Sequence, residues 1–98
     1  MIPSLDELRA QCRIDNDLQD GLLTTYAEAA IEKAELFMNL SLYETEIPED
    51  VDNGMLITPL VRLAIMLAVN GWYDNPDQTE PPPEFYKLLR DYRRGPGT

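Results

Sequence analysis

Asp15, Asp17 and Asp20 are the side chains whose spacing comes nearest to a known chemistry, the opening of a calcium-binding EF-hand loop. Such a loop needs oxygen ligands at its first, third and fifth positions, glycine at the sixth and a bidentate glutamate at the twelfth. Counted from Asp15, those last three positions hold Gln19, Asp20 and Tyr26, so the cluster reads as helix capping and no metal site is expected. Histidine is absent, which removes the commonest general base. Cys12 is the single cysteine, which excludes an internal disulfide and a cysteine-based zinc site; it is expected to sit as a small buried apolar residue. Acids are abundant, but nothing in their spacing pairs one with an apolar pocket and a second catalytic group. Phosphate-cradling glycine loops and nucleophile motifs are missing as well. The expectation is therefore a non-enzyme with no catalytic residues and no cofactor.

Helices must hold whatever this chain presents. Its 98 residues make one domain. The most apolar run is Pro59 to Asn75. Thr58 can cap that helix, Pro59 suits the first helical position, where a missing N–H costs nothing, and Asp74-Asn75-Pro76 stops it. Leu60, Leu63, Ala64, Leu67, Ala68, Gly71 and Trp72 recur at three- and four-residue steps, while Val61, Ile65, Met66 and Val69 fill much of the other side. A helix apolar nearly all round is expected to be buried on most faces, inside one subunit or between subunits. The run of about fourteen apolar residues also carries Arg62, and a membrane span needs roughly 20.

Ser4-Leu5-Asp6-Glu7 has capping-box spacing and predicts a short first helix ending near Arg13, with Leu5, Leu8 and Cys12 on one face and Ile14 anchoring the turn. Asp15-Asn16-Asp17 is expected to cap a longer helix from about Leu18 to Leu40. Its buried face would carry Leu18, Leu22, Tyr26, Ala29, Ala30, Phe37 and Leu40, with Ala34 near the edge and Glu28, Glu32 and Glu35 mostly opposite. Pro81-Pro82-Pro83 runs extended as a stiff spacer, and Pro83 opens a last short helix docked through Phe85, Leu88, Leu89 and Tyr92. The predicted core thus includes Leu22, Tyr26, Phe37, Leu63, Leu67, Trp72, Phe85 and Leu89. Residues 41–58 form a long connection. Leu42-Tyr43-Glu44 and Met55-Leu56-Ile57 could be short strands, and Asn53-Gly54 is a tight-turn signal, so a short β-hairpin has room there; Pro48 confines any strand to an edge. The predicted fold class is all-α, a small bundle of about four helices, two long and two short. It forms a single domain over residues 1–98, with 93–98 a flexible tail.

Eight basic residues stand against eighteen acidic ones, a formal charge of −10, so no basic patch of the size nonspecific DNA binding needs exists. The imbalance is uneven. Residues 1–86 hold four basic residues against seventeen acids, net −13, whereas 87–98 hold Lys87, Arg90, Arg93 and Arg94 against Asp91, net +3. The basic end reads either as a plain tail or as a docking element for an acidic neighbour. The opening Met1 to Glu7 lacks a basic region and turns acidic at once, so a cytoplasmic chain is expected.

The order of local phrases goes further. Ser4 to Asp15, ending Cys12-Arg13-Ile14-Asp15, resembles the opening helix of the head–tail connector family of tailed double-stranded DNA phages, with Cys12 where leucine is usual. The resemblance continues through the acidic turn at 15–20, the helix reaching Glu35-Leu36-Phe37-Met38-Asn39, Asn53-Gly54-Met55 and Thr58-Pro59-Leu60. Ala64 to Asn75 is similar to the family's most recognisable phrase, with Asn70-Gly71 in place of alanine-histidine, and Pro83 to Tyr92-Arg93 resembles its closing helix.

What the resemblance implies is a structural virion protein at the head–tail junction, assembled in the bacterial host cytoplasm. It would form a homo-oligomeric ring beneath the portal protein, following the portal's twelve-fold order. That ring would help retain packaged DNA, which passes through without specific binding, and would offer a platform for the stopper or tail protein. No membrane is involved. The 41–58 loop, through Tyr43, Glu44, Glu46, Ile47, Glu49 and Asp50, and the basic end, through Arg90, Arg93 and Arg94, are the expected subunit and portal contacts. Their length, exposed aromatics and opposite charge motivate that choice. The charge alone also fits an acidic regulator or DNA-mimic inhibitor that binds a DNA-binding protein.

Overall fold

Local capping signals place the first helix where the spacing predicts. In the computed structural model, which describes residues 2–95, α1 spans Leu5–Cys12. The Ser4 hydroxyl accepts from the Glu7 N–H at 3.1 Å, and Glu7 Oε1 accepts from the Ser4 N–H at 3.0 Å. Arg13 closes the helix in the left-handed region (φ 59°), and the Ile14 N–H returns to the Arg9 carbonyl at 2.8 Å. Ser4→Ala removes one half of the reciprocal cap and should lower stability by about 1 kcal/mol, read as a lower urea midpoint at unchanged slope.

The second helix, α2, spans Asp20–Met38 and starts later than expected. Asn16 Oδ1 accepts from the Leu18 N–H at 3.0 Å, so the acidic stretch folds into a side-chain-stabilised turn and does not begin a helix. Leu18 is left outside, 81% exposed. The buried face of α2 is Leu23, Ala27, Ala30, Ala34 and Met38. That is turned from the predicted face by about one residue, roughly 100° around the axis. Leu22 is consequently 40% exposed, and Tyr26 and Phe37 are half-buried.

The third helix, α3, spans Pro59–Asp74, with the Thr58 hydroxyl accepting from the Val61 N–H at 3.2 Å. It buries Val61, Ala64, Ile65, Ala68, Val69 and Trp72. Leu63, expected in the core, is exposed, and Leu67 is half-buried. The same physics corrects both helices. α2 and α3 form the most extensive helix pair, and each turns its alanines inward. Small side chains let two backbones approach closely, whereas long leucines at those positions would hold them apart.

Helix α4 spans Pro83–Leu89 and runs into a single 3-10 turn, Arg90–Tyr92. Phe85 and Leu89 are fully buried. Pro82 lies against α3 at Gly71, where a Cβ would come within 3.0 Å of the proline ring, so the absence of a side chain at Gly71 makes room for the proline spacer.

The 41–58 connection holds two strands, β1 (Ser41–Tyr43) and β2 (Gly54–Leu56), but they pair in parallel, with Ser41, Leu42 and Tyr43 opposite Gly54, Met55 and Leu56. The predicted hairpin is thereby corrected. Parallel strands cannot be joined by a tight turn, so the chain leaves β1, makes a ten-residue excursion through 44–53 and returns to the same end. Asn53-Gly54 is not a hairpin tip. Gly54 opens β2 because Tyr43, Ile47 and Val51 close over it: a Cβ there would lie 2.8 Å from Ile47 Cγ2 and 3.1 Å from Tyr43 and Val51 carbons. Gly54→Val should therefore loosen the excursion, seen as faster amide exchange across 44–53 with α2 and α3 amides still protected.

Candidate assembly surface

Ionic and polar contacts fix which charges the bundle keeps for itself. Arg9 on α1 forms a two-point ion pair with Asp20 at the start of α2, at 2.8 and 2.5 Å, and a second with Asp6 at 2.7 Å. The bonded guanidinium holds the Asp20 carboxyl below the usual carboxylate range and raises Arg9 further. Asp20, one of the three acids of the calcium-like cluster, is thus committed to joining two helices. Among the described residues no group of three or more His, Cys, Asp or Glu is placed to hold a metal. Arg62 on α3 pairs with Glu7 on α1.

Glu80, in the loop before the prolines, accepts from Lys33 Nζ at 2.9 Å and from the Tyr86 hydroxyl at 2.5 Å. It thereby ties α2 to α4. Those two donors hold the Glu80 carboxyl below its ordinary range, while burial, and then the adjoining Glu80, push the Tyr86 hydroxyl up to about 12. The depressed acid contributes stability above the ordinary carboxylate pKa that is lost as pH falls. The raised phenol contributes stability present below about pH 10 that is lost as pH climbs towards 12. Tyr86→Phe should flatten the alkaline limb of a melting-temperature profile, and Glu80→Gln should flatten part of both limbs. A Tyr86→Phe profile that still falls as steeply above pH 10 would refute the assignment.

Cys12 lines a polar recess of about 570 Å³ with Gln11, Arg13, Asn70 and Asp74. Burial first, and Asp74 second, push its thiol up, which makes it a poor nucleophile at neutral pH.

The residues expected to make contacts divide into two sets. In the excursion, Glu44, Glu46, Ile47, Glu49 and Asp50 are exposed, whereas Tyr43 is half-buried against Gly54. Glu44 also accepts from the Ile2 N–H at 3.3 Å. At the basic end, Arg90 is exposed, but Arg93 and Arg94 engage their own subunit. The Arg93 guanidinium lies 5.1 Å from the centre of the Phe37 ring. The Arg94 N–H donates to the Met38 carbonyl at 2.9 Å, its carbonyl accepts from Asn39 Nδ2 at 2.9 Å, and its guanidinium donates to Asn53 Oδ1 at 3.1 Å. Asn53 Nδ2 in turn donates to the Asn39 carbonyl. The segment expected as a flexible tail is therefore docked through Arg93 and Arg94 on the end of α2 and the base of the excursion; residues 96–98 lie outside the described residues.

An apolar surface that includes Leu63 and Leu67, both expected in the core, lies on α3. On α3, Leu60 and Leu63 are 47% and 43% exposed, with half-buried Leu67 continuing the line, about a quarter-turn from the alanines; Leu56, at the end of β2, is 41% exposed. A helix apolar all round must choose which stripe faces inward, and pairing with α2 selects the one that carries Ala64 and Ala68.

A family model described as phage gp6-like head-tail connector protein matches residues 2–93. The chain belongs to that family. No curated protein and no solved structure matches it significantly. As a member of the connector family it is a structural component of the phage virion at the head–tail junction, associating with other head and tail proteins. Among the described residues of this connector no helix is long and apolar enough to cross a membrane.

Proposed function

We propose that this connector assembles in the host cytoplasm as a homo-oligomeric ring beneath the portal protein, a dodecamer in the virion. There it helps retain the packaged genome and presents a platform to the stopper or tail protein. The observation that carries the ring is the leucine stripe on α3, Leu60, Leu63 and Leu67. Two large apolar side chains of that helix, Leu60 and Leu63, are each more than two-fifths exposed, with half-buried Leu67 beside them, and form a patch that a lone subunit gains nothing by presenting to water. A subunit that repeats one contact between two different faces closes into a ring. The role is mechanical and not enzymatic, and the acids of residues 1–86 suit a channel wall that repels the DNA backbone and lets it slide. The portal and neighbouring-subunit contacts are assigned to Glu46, Ile47, Glu49 and Asp50 of the excursion and to Arg90. Tyr43, Glu44, Arg93 and Arg94 hold those segments in place.

The test is mass in solution by light scattering over a wide concentration range, with negative-stain images of the most concentrated sample, followed by binding to capsids that carry the portal. Closed rings, or saturable binding to those capsids, are the expected results. A chain that stays monomeric and also fails to bind portal-bearing capsids overturns the proposal.

A further inference from the structure

A second apolar surface lies elsewhere on the subunit. Two adjoining recesses of about 320 and 360 Å³ share Ala29, Trp72 and Thr79, and together make a shallow groove. Trp72 forms its floor, Tyr26 and Ala29 of α2 one wall, and the 76–79 loop the other. We propose that the stripe formed by Leu60, Leu63 and Leu67 of α3 in one copy seats in the Trp72-floored groove of the next copy, so that the ring is built by a head-to-tail pairing of these two faces. The proposal rests on the ring reading above and names the surfaces that make it.

Three observations support it. The two surfaces are far apart on one subunit: Leu60 and Trp72 are separated by about 18 Å along α3 and by about 120° around it, so a single chain cannot bring them together. Their shapes are opposite, a raised line of leucines and a recess. Their flanking charges are opposite too. Arg90 is exposed in the turn whose Tyr92 hydroxyl accepts from Thr58 Oγ1 at 3.2 Å, at the stripe's N-terminal end. Glu32 lines the groove and Asp77 lies in the loop that walls it, both exposed, while Lys33 is already paired with Glu80. A two-fold pairing of stripe on stripe would leave the groove open and supply no acidic partner for Arg90. It would also stop at a dimer, whereas pairing of unlike faces continues until it closes.

Single-cysteine variants in a Cys12→Ser background test the pairing: Leu63→Cys on the stripe and Thr25→Cys on the groove wall, with Leu63→Cys plus Glu84→Cys on α4 as the control mixture. Each should first melt as the parent does. Under mild oxidation, mixing Leu63→Cys with Thr25→Cys should give a disulfide-linked dimer at least about tenfold faster than the control mixture, because docking raises the local thiol concentration. The double variant should give a ladder of higher oligomers. Self-linking of Leu63→Cys alone overturns the pairing in favour of stripe on stripe. Oligomers that form without either cross-link overturn it while leaving the ring itself standing. A chain that is monomeric at millimolar concentration and does not cross-link also overturns it, and the ring reading is then decided separately by binding to portal-bearing capsids.

Discussion

Phe85→Ala should destabilise the subunit by about 3–5 kcal/mol, a large share of the roughly 5–15 kcal/mol that holds a domain of this kind together. The reason lies in how α4 is made. It is a seven-residue helix, too short to be stable alone, and no side chain caps its N-terminus. Its position therefore depends on docking. Phe85 and Leu89 are its fully buried residues, and the Phe85 ring meets Tyr86 edge-on at 5.1 Å. Removing the ring leaves a cavity between α3 and α4, frees Tyr86 from one neighbour and weakens its hold on Glu80. Denaturant unfolding measures the effect directly. A loss below about 1 kcal/mol would mean the site collapses around the alanine and that α4 is held chiefly by the proline spacer.

The second large effect is on assembly and not on folding. Leu60→Glu combined with Leu63→Glu places two carboxylates on the exposed stripe, at positions where a lone subunit already meets water. Substitutions at such sites usually change stability within about 0.5 kcal/mol each, so the monomer should melt close to the parent. Burying the same carboxylates unpaired against an apolar groove would be strongly unfavourable, so rings should be lost outright. Light scattering and melting on the same samples separate the two readouts. Rings that persist in a well-folded variant would show that the subunits meet elsewhere.

The parts of the fold that depend on neighbours in sequence were legible. Ser4 with Glu7, and Thr58 with Pro59, announce helix starts because their hydrogen-bond partners lie within one turn. Phe85, Leu89 and Trp72 read as buried because large apolar residues at helix spacing have few other uses. The choice of inward face on α2 and α3 was not legible in the same way. Hydrophobicity ranks leucine above alanine, so the sequence favours burying Leu22 and Leu63, but close approach of two helices favours alanine. That preference belongs to the pair and not to either helix. The parallel pairing of β1 with β2 was hidden because its partners sit thirteen residues apart and the turn signal between them suggested a hairpin. The docking of Arg94 was hidden for the same reason: its partners, Met38, Asn39 and Asn53, come from two distant segments. Of the residues expected to make contacts, the exposed acids of the excursion and Arg90 follow from charge and loop position, whereas the leucine stripe becomes visible only once the core has been filled without it.

The parallel strand pair makes residues 44–53 a detachable insert. Both feet are pinned, by the strand register and by the clasp of Asn53 with Asn39 and Arg94, so the bundle below does not sense how far the chain travels between them. Doubling the length of such a closed loop costs only about 0.6 kcal/mol. A peptide or small domain spliced between Glu49 and Asp50, both exposed, should thus ride on the subunit without unfolding it. In evolutionary terms, the same geometry lets the excursion change length and chemistry to suit a new docking partner while the helices that carry it stay as they are.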